Sequence, residues 1–139
     1  MRSAGVAERA VESPEVPCQV LLVDDNEDML FLAGAFLDTD DDGDIELVGL
    51  ARTGREAIAV VRERRPHVVL LDLLLETENG LDIAEQVLHI APETAIVLFS
   101  EFLDGVTLRR AELLGIRECV PKDHFQRLAT VVRAHCPAA

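Results

Sequence analysis

Five short apolar runs, each followed by an amphipathic stretch of helical period, predict an α/β fold, a doubly wound five-stranded parallel sheet in the order 2-1-3-4-5. Three observations carry that expectation. Runs such as Val68-Val-Leu-Leu71 and Ala95-Ile-Val-Leu-Phe99 lack period-two alternation, so their strands are expected to be covered on both faces. The stretches between them have the length of crossover helices. A chain of 139 residues with 49% apolar composition suits one domain with a substantial core.

The elements follow in order. Residues 1–17, with Pro14 and Pro17, hold no sustained period and read as a flexible tail, which leaves the domain at 18–139. Cys18-Gln-Val-Leu-Leu-Val23 reads as a buried strand, and Met29, Leu30, Ala33, Phe36 and Leu37 then recur at helical spacing. Asp38 to Asp44, with Gly43 and the run Asp40 to Asp42, reads as a solvated acidic turn before a second strand, Ile45 to Ala51. Thr53 is placed to cap a helix carrying Ala57, Ile58, Val60 and Val61, whose end at Pro66 is complemented by Arg62, Arg64 and Arg65. His67 to Leu71 is too short for a helix and reads as the third strand. Gly80 to His89 is helical, Ala95 to Phe99 is a strand, and Gly105 to Leu114 is a helix closed by Gly115. A short strand, Glu118 to Val120, leads into an amphipathic helix with Phe125, Leu128, Val131 and Val132.

Composition excludes several classes of function. Thirteen basic residues against 26 acidic ones give 13 − 26 = −13, which disfavours nucleic acid or an anionic membrane as a direct partner. The longest apolar segment, Val68 to Leu75, is cut by Asp72, and no N-terminal stretch joins a basic region to an apolar run of signal length; a cytoplasmic location is expected. Cys18, Cys119 and Cys136 are an odd number without CxxC or Cys/His metal spacing, and they are expected to be reduced, mostly buried small hydrophobes. His67, His89, His124 and His135 lack ligand or triad spacing and read as surface or helix-end residues. No dinucleotide loop, Walker loop or GxSxG elbow is present.

In a doubly wound sheet the site lies beyond the carboxyl ends of the strands. Asp24 and Asp25 follow the first strand, Asp72 the third, Ser100 the fourth and Lys122 the fifth. Lys122 is the single lysine beside twelve arginines. Converging carboxylates repel unless a cation neutralises them, and an all-oxygen donor set suits Mg²⁺. A hydroxyl and an ammonium opposite them complete a cradle for a phosphoryl group. Each residue also has an ordinary reading: Asp25 as a helix N-cap, Ser100 as a strand-end hydroxyl, Lys122 as a solvated charge. Asp72 is harder to explain that way, because a charge inside an apolar run is costly to bury.

Leu21-Leu-Val-Asp24-Asp25, Val68-Val-Leu-Leu-Asp72 with Gly80 eight residues on, Ile96-Val-Leu-Phe-Ser100 and Lys122 resemble the response-regulator receiver domain of two-component signalling, over about residues 18 to 135. The resemblance implies a flavodoxin-like (βα)5 fold with Asp72 as phosphoacceptor. It further implies that Asp24, Asp25, Asp72 and the backbone carbonyl of Leu74 hold Mg²⁺, while Ser100 and Lys122 contact the phosphoryl group. Its donor would be a histidine kinase or phosphotransfer protein. Its receiver would be a downstream protein or a detached output domain, and it would not be a turnover enzyme. The last two helices and last strand, with Arg109, Arg110 and Arg117, read as the face for a partner or a homodimer. The sequence also departs from the family pattern. Leu75 and Glu76 replace the usual Met-Pro, Glu76 and Glu78 make the loop more acidic, Asp123 follows Lys122, and Cys119 stands at the switch position that normally holds an aromatic. Two other readings stay open. One is a pseudo-receiver that binds without phosphorylation; the other is a haloacid-dehalogenase-like phosphatase, whose second Asp would fall at Leu74.

Overall fold

The computed structural model describes residues 17–38 and 43–137, so the expected tail, apart from Pro17, and most of the acidic turn at 38–44 lie outside the described residues. Strands β1 (Cys18–Val23), β2 (Ile45–Ala51), β3 (Val68–Leu71), β4 (Ala95–Ser100) and β5 (Glu118–Pro121) form one parallel sheet in the order β2-β1-β3-β4-β5. Helices α1 (Glu27–Asp38) and α5 (Leu128–Ala134) cover one face; α2 (Gly54–Arg64), α3 (Gly80–Ile90) and α4 (Gly105–Leu114) cover the other.

The absence of alternation in the central strands has a direct structural counterpart. Val68, Leu70, Val97 and Phe99 feed the core under α1 and α5, while Val69, Leu71, Ile96 and Leu98 feed the core under α2 to α4. Every residue of β3 and β4 is buried. Each fully buried Leu or Ile contributes roughly 2 kcal/mol of transfer free energy, so the two cores together hold the sheet as a central layer.

The helix ends explain where each element starts and stops. Asn26 Oδ1 accepts from Met29 N (3.1 Å), so Asn26 and not Asp25 caps α1. Thr53 caps α2 by accepting from Glu56 N (3.1 Å), as expected, and Asn79 and Asp104 cap α3 and α4 in the same way. Gly115 closes α4 at φ +94°, a backbone conformation that glycine adopts without steric cost. The expected single C-terminal helix is instead a 3-10 stretch, Lys122–Arg127, broken at His124 and followed by α5. This tighter winding lets Lys122 turn toward the strand ends while Phe125 packs edge-on against Phe36, ring centroids 4.8 Å apart. A register shift between Val20 and Leu21 in the β1–β2 pair is a further feature that no sequence pattern announces.

The cysteine expectation is overturned. Cys18 and Cys136 form a disulfide, with Cα atoms 5.6 Å apart and 118 residues between them in sequence; Cys119 remains free. The spacing hides the contact because β1 is an interior strand, and α5 returns along the same face to end beside its first residue. Two polar contacts reinforce that end: Arg133 Nε with Asp44 Oδ2 at 2.9 Å, and His135 Nε2 with Glu118 Oε1 at 2.9 Å. His67 likewise has a structural place rather than a surface one. Its Nδ1 accepts from Gln19 N (2.9 Å) where β3 meets β1.

Closing so long a loop constrains the unfolded chain, and reduction is expected to cost about 2–4 kcal/mol of stability. Urea unfolding with and without dithiothreitol measures this, and the double variant Cys18→Ser, Cys136→Ser should match the reduced protein. An unchanged midpoint on reduction would mean that the bond does not form in solution.

Candidate functional site

Five of the residues singled out at strand ends meet at the carboxyl edge of the sheet. Asp24, Asp25, Asp72, Ser100 and Lys122 line one cavity of about 170 Å³, together with Asn26, Leu74, Glu101 and Phe102. The backbone places them there by continuing the strand ladder. Asp24 N donates to Ala51 O (2.9 Å) and Asp72 N to Val23 O (3.0 Å), so both carboxylates are set by main-chain bonds one residue past their strands.

Charge organises the cavity. Lys122 Nζ lies 2.7 Å from Asp24 Oδ2 and 3.2 Å from Asp72 Oδ2, with all three side chains less than a tenth exposed. Asp25 is half-buried, and one carboxylate oxygen from each of Asp24, Asp25 and Asp72 lies within 4.8 Å of the others. Three carboxylates and one ammonium leave 3 − 1 = 2 negative charges, the complement of one divalent cation. Burial raises the Asp72 carboxyl above its ordinary value against the pull of Lys122, and the charge of Asp24 adds to the rise. Burial also pulls on the Lys122 ammonium, but its close contact with Asp24 and the charges of Asp72 and Asp24 outweigh that and keep it protonated. The donor set therefore fits a hard, oxygen-seeking cation.

The surrounding backbone is tightly fitted. Asp24 Oδ1 accepts from Asn26 N (2.9 Å), and Asp72 Oδ1 accepts from Leu74 N (3.3 Å). Leu74 and Asn79 form an antiparallel bridge whose hydrogen bonds run through their neighbours, Leu75 with Glu78 and Gly80 with Leu73. In such a pair the carbonyl of Leu74 points away from its partner strand, leaving it available as a ligand. Gly80 is required because a Cβ there would strike the Asp72 carbonyl oxygen and lie 2.8 Å from Leu73 Cα. Ser100 Oγ is buried and makes no hydrogen bond to the described residues, a polar atom awaiting a partner.

Cys119 is not part of the cavity. Its half-buried side chain packs against the core under α2 to α4, where burial and then Glu118 push its pKa up. Arg109, Arg110 and Arg117 are exposed, and Arg110 borders a groove of about 210 Å³ with Asp82, Glu85 and Leu113. Asn26, Glu101 and Phe102 escaped the sequence reading. Asn26 had a usable signal, an Asx residue just ahead of a helical run; Glu101 and Phe102 had only their place next to Ser100.

Known proteins share this fold. The family model of the response regulator receiver domain matches residues 20–133. The response regulator protein VraR of Staphylococcus aureus (strain Mu3) is 32% identical over 104 residues, covering 75% of this chain and 49% of its own length. The chain thus spans about half the length of the curated relatives it matches. The response regulator domain of Thermotoga maritima CheB superposes with a TM-score of 0.76 at 23% identity, covering 86% of this chain and 96% of that one. A Mn²⁺-bound form of the response regulator Rcp1 superposes at 0.75 with 21% identity, covering 88% of this chain and 100% of that one. Among the described residues, no helix is long and apolar enough to cross a membrane. With a sheet in the expected order and a family match over most of its length, the chain belongs to the response regulator receiver domain family.

Proposed function

We propose that this domain is a phosphorylation switch in which Asp72 accepts a phosphoryl group from a histidine kinase or phosphotransfer protein in a Mg²⁺-dependent step. The observation that carries this reading is the uncompensated charge around Asp72, a buried carboxylate at the end of an interior strand with two more carboxylates close by and one ammonium to balance all three. Asp24, Asp25, Asp72 and the Leu74 carbonyl would hold the cation. When bound, the cation neutralises charge on the transferring phosphoryl oxygens.

The protein's own groups supply the rest. A carboxylate oxygen of Asp72 attacks phosphorus in line, the P–N bond of the donor phosphohistidine breaks, and its electron pair leaves with the imidazole nitrogen. Lys122, already held against Asp72, takes a phosphoryl oxygen as a charge-assisted partner. Ser100 Oγ, buried and unpartnered, donates to another. Such a domain would be modified once per signal rather than turning over substrate, and it would act in the cytoplasm, where the Cys18–Cys136 bond would be open to reduction. The new charge is read by a downstream protein or output domain, with the exposed Arg109, Arg110 and Arg117 as the contact face for that partner or for a second copy.

Incubation of the intact protein with Mg²⁺ and a small phosphodonor is expected to add the mass of one phosphoryl group, and Asp72→Asn should abolish the gain. No gain in the wild type, beside a receiver that does gain, would favour a phosphorylation-independent binding module. Continuous release of phosphate from phosphomonoesters would favour a phosphatase.

Lys122→Ala separates two roles. The ammonium competes with a cation for Asp24 Oδ2 and Asp72 Oδ2, so its removal should tighten Mg²⁺ binding, by roughly tenfold if the competition is worth about 1.4 kcal/mol. The cation-free domain should lose about 3 kcal/mol of stability, because two buried carboxylates lose their partner. Calorimetric titration and thermal unfolding check both signs; weaker Mg²⁺ binding would make the lysine a support of the metal site instead.

Asp72 also sets a pH dependence in the cation-free protein. Its folded pKa is raised, so the folded state binds the proton more tightly than the unfolded chain. This contribution to stability is present below the unfolded value and is lost as pH rises through the folded one. Asp72→Asn should therefore stabilise the cation-free domain at neutral pH, on the order of 1 kcal/mol, with the gain vanishing in acid. Urea midpoints compared at pH 7 and in acid measure it; an equal gain at both would place the effect in packing.

A further inference from the structure

The junction between β2 and α2 touches both of the acidic loops. On one side Arg52 Nη1 donates to Glu27 Oε2 (3.3 Å) and Nη2 to the Asp25 carbonyl (3.4 Å), which ties the β1–α1 loop to the junction. On the other side Gly54 N donates to Glu78 Oε1 at 2.7 Å. Glu78 belongs to the β3–α3 loop and lies four residues after Leu74.

The Glu78 contact is strong for local reasons. Gly54 N opens α2, where a helix leaves donors without internal partners and its dipole favours a negative group. The hydroxyl of Thr53 is already engaged with Glu56 N, so a second acceptor is needed for Gly54. The fit is close enough that a Cβ at position 54 would strike Glu78 Oε2 and lie 3.0 Å from Glu78 Cδ and from Ile83 Cγ1.

The loop that Glu78 holds is rooted by Leu73 and Leu75 in the core, and Glu78 adds a polar tie to the start of α2. Leu73 and Leu75 are buried, but Leu74, Glu76, Thr77 and Glu78 are exposed as residues, and the internal bonds between Leu75 and Glu78 set the loop's shape rather than its position. No proline stiffens it, since Leu75-Glu76 occupies the place of Met-Pro.

We infer that Glu78 is a positioning residue for the cation-binding end of the sheet: seated on the Gly54 N–H, it holds the β3–α3 loop, and with it the Leu74 carbonyl, in fixed relation to the Asp24–Asp25 loop that Arg52 holds from the same junction. The inference rests on the reading of Asp24, Asp25, Asp72 and Leu74 as cation ligands. The acidity of Glu78 is used at a helix start, outside the trio of converging carboxylates.

Mn²⁺ titration followed by the electron paramagnetic resonance signal of the free ion tests it on the whole chain, with thermal unfolding run in parallel. Glu78→Ala is expected to weaken Mn²⁺ binding by roughly tenfold, the usual scale for groups that orient a ligand. Glu78→Gln should retain affinity within about twofold, because its amide oxygen accepts the same bond. Gly54→Ala should weaken binding with Glu78 still present, since it displaces the carboxylate sterically. Equal affinity for the wild type, Glu78→Ala and Gly54→Ala overturns the role of Glu78 and leaves the cation reading standing. Loss in Glu78→Gln as large as in Glu78→Ala also overturns it, by assigning the effect to charge alone. A wild type that binds no Mn²⁺ overturns the cation reading together with the inference built on it.

Discussion

One ammonium held between two buried carboxylates governs the carboxyl end of this sheet. Lys122 follows β5, yet it reaches past the end of β4 to Asp72 after β3 and to Asp24 after β1, so a single side chain links three strand ends. Without it, Asp24 and Asp72 would face each other in a poorly solvated cavity, and neither charge could be kept at reasonable cost. With it, the cavity is stable enough to fold around but still short of positive charge. On the proposed function, that remaining imbalance is what would draw in a cation and the electrophilic group that a cation accompanies.

Much of this was legible in the sequence because one physical condition produced both the strands and the site. Strands covered on both faces must be continuously apolar, so any polar residue that interrupts or ends such a run stands out, and Asp24, Asp72, Ser100 and Lys122 each do so. Thr53 and Gly115 marked helix ends through ordinary capping chemistry. The switch position at Cys119 was visible only by resemblance, and its half-buried side chain packs against the core under α2 to α4, outside the cavity that Ser100 lines.

Features set by meetings between distant segments were not legible. Arg52 and Glu78 sit among other charged loop residues, and their composition gives no hint that one grips the β1–α1 loop and the other a helix start. The Cys18–Cys136 bond depends on where α5 ends relative to β1, a consequence of strand order and not of any local spacing. The break at His124 follows from a demand on its neighbours, since Lys122 must reach the cavity while Phe125 packs on α1.

The same disulfide has a topological meaning. Because Cys18 opens the first strand and Cys136 follows the last helix, the polypeptide enters and leaves the domain at adjacent points, at the pole of the sheet remote from Asp72. The described fold is thus nearly a closed ring of chain. Its opening could be relocated to an exposed loop by a circular permutation that joins Cys18 and Cys136 through a short linker, away from the chemistry.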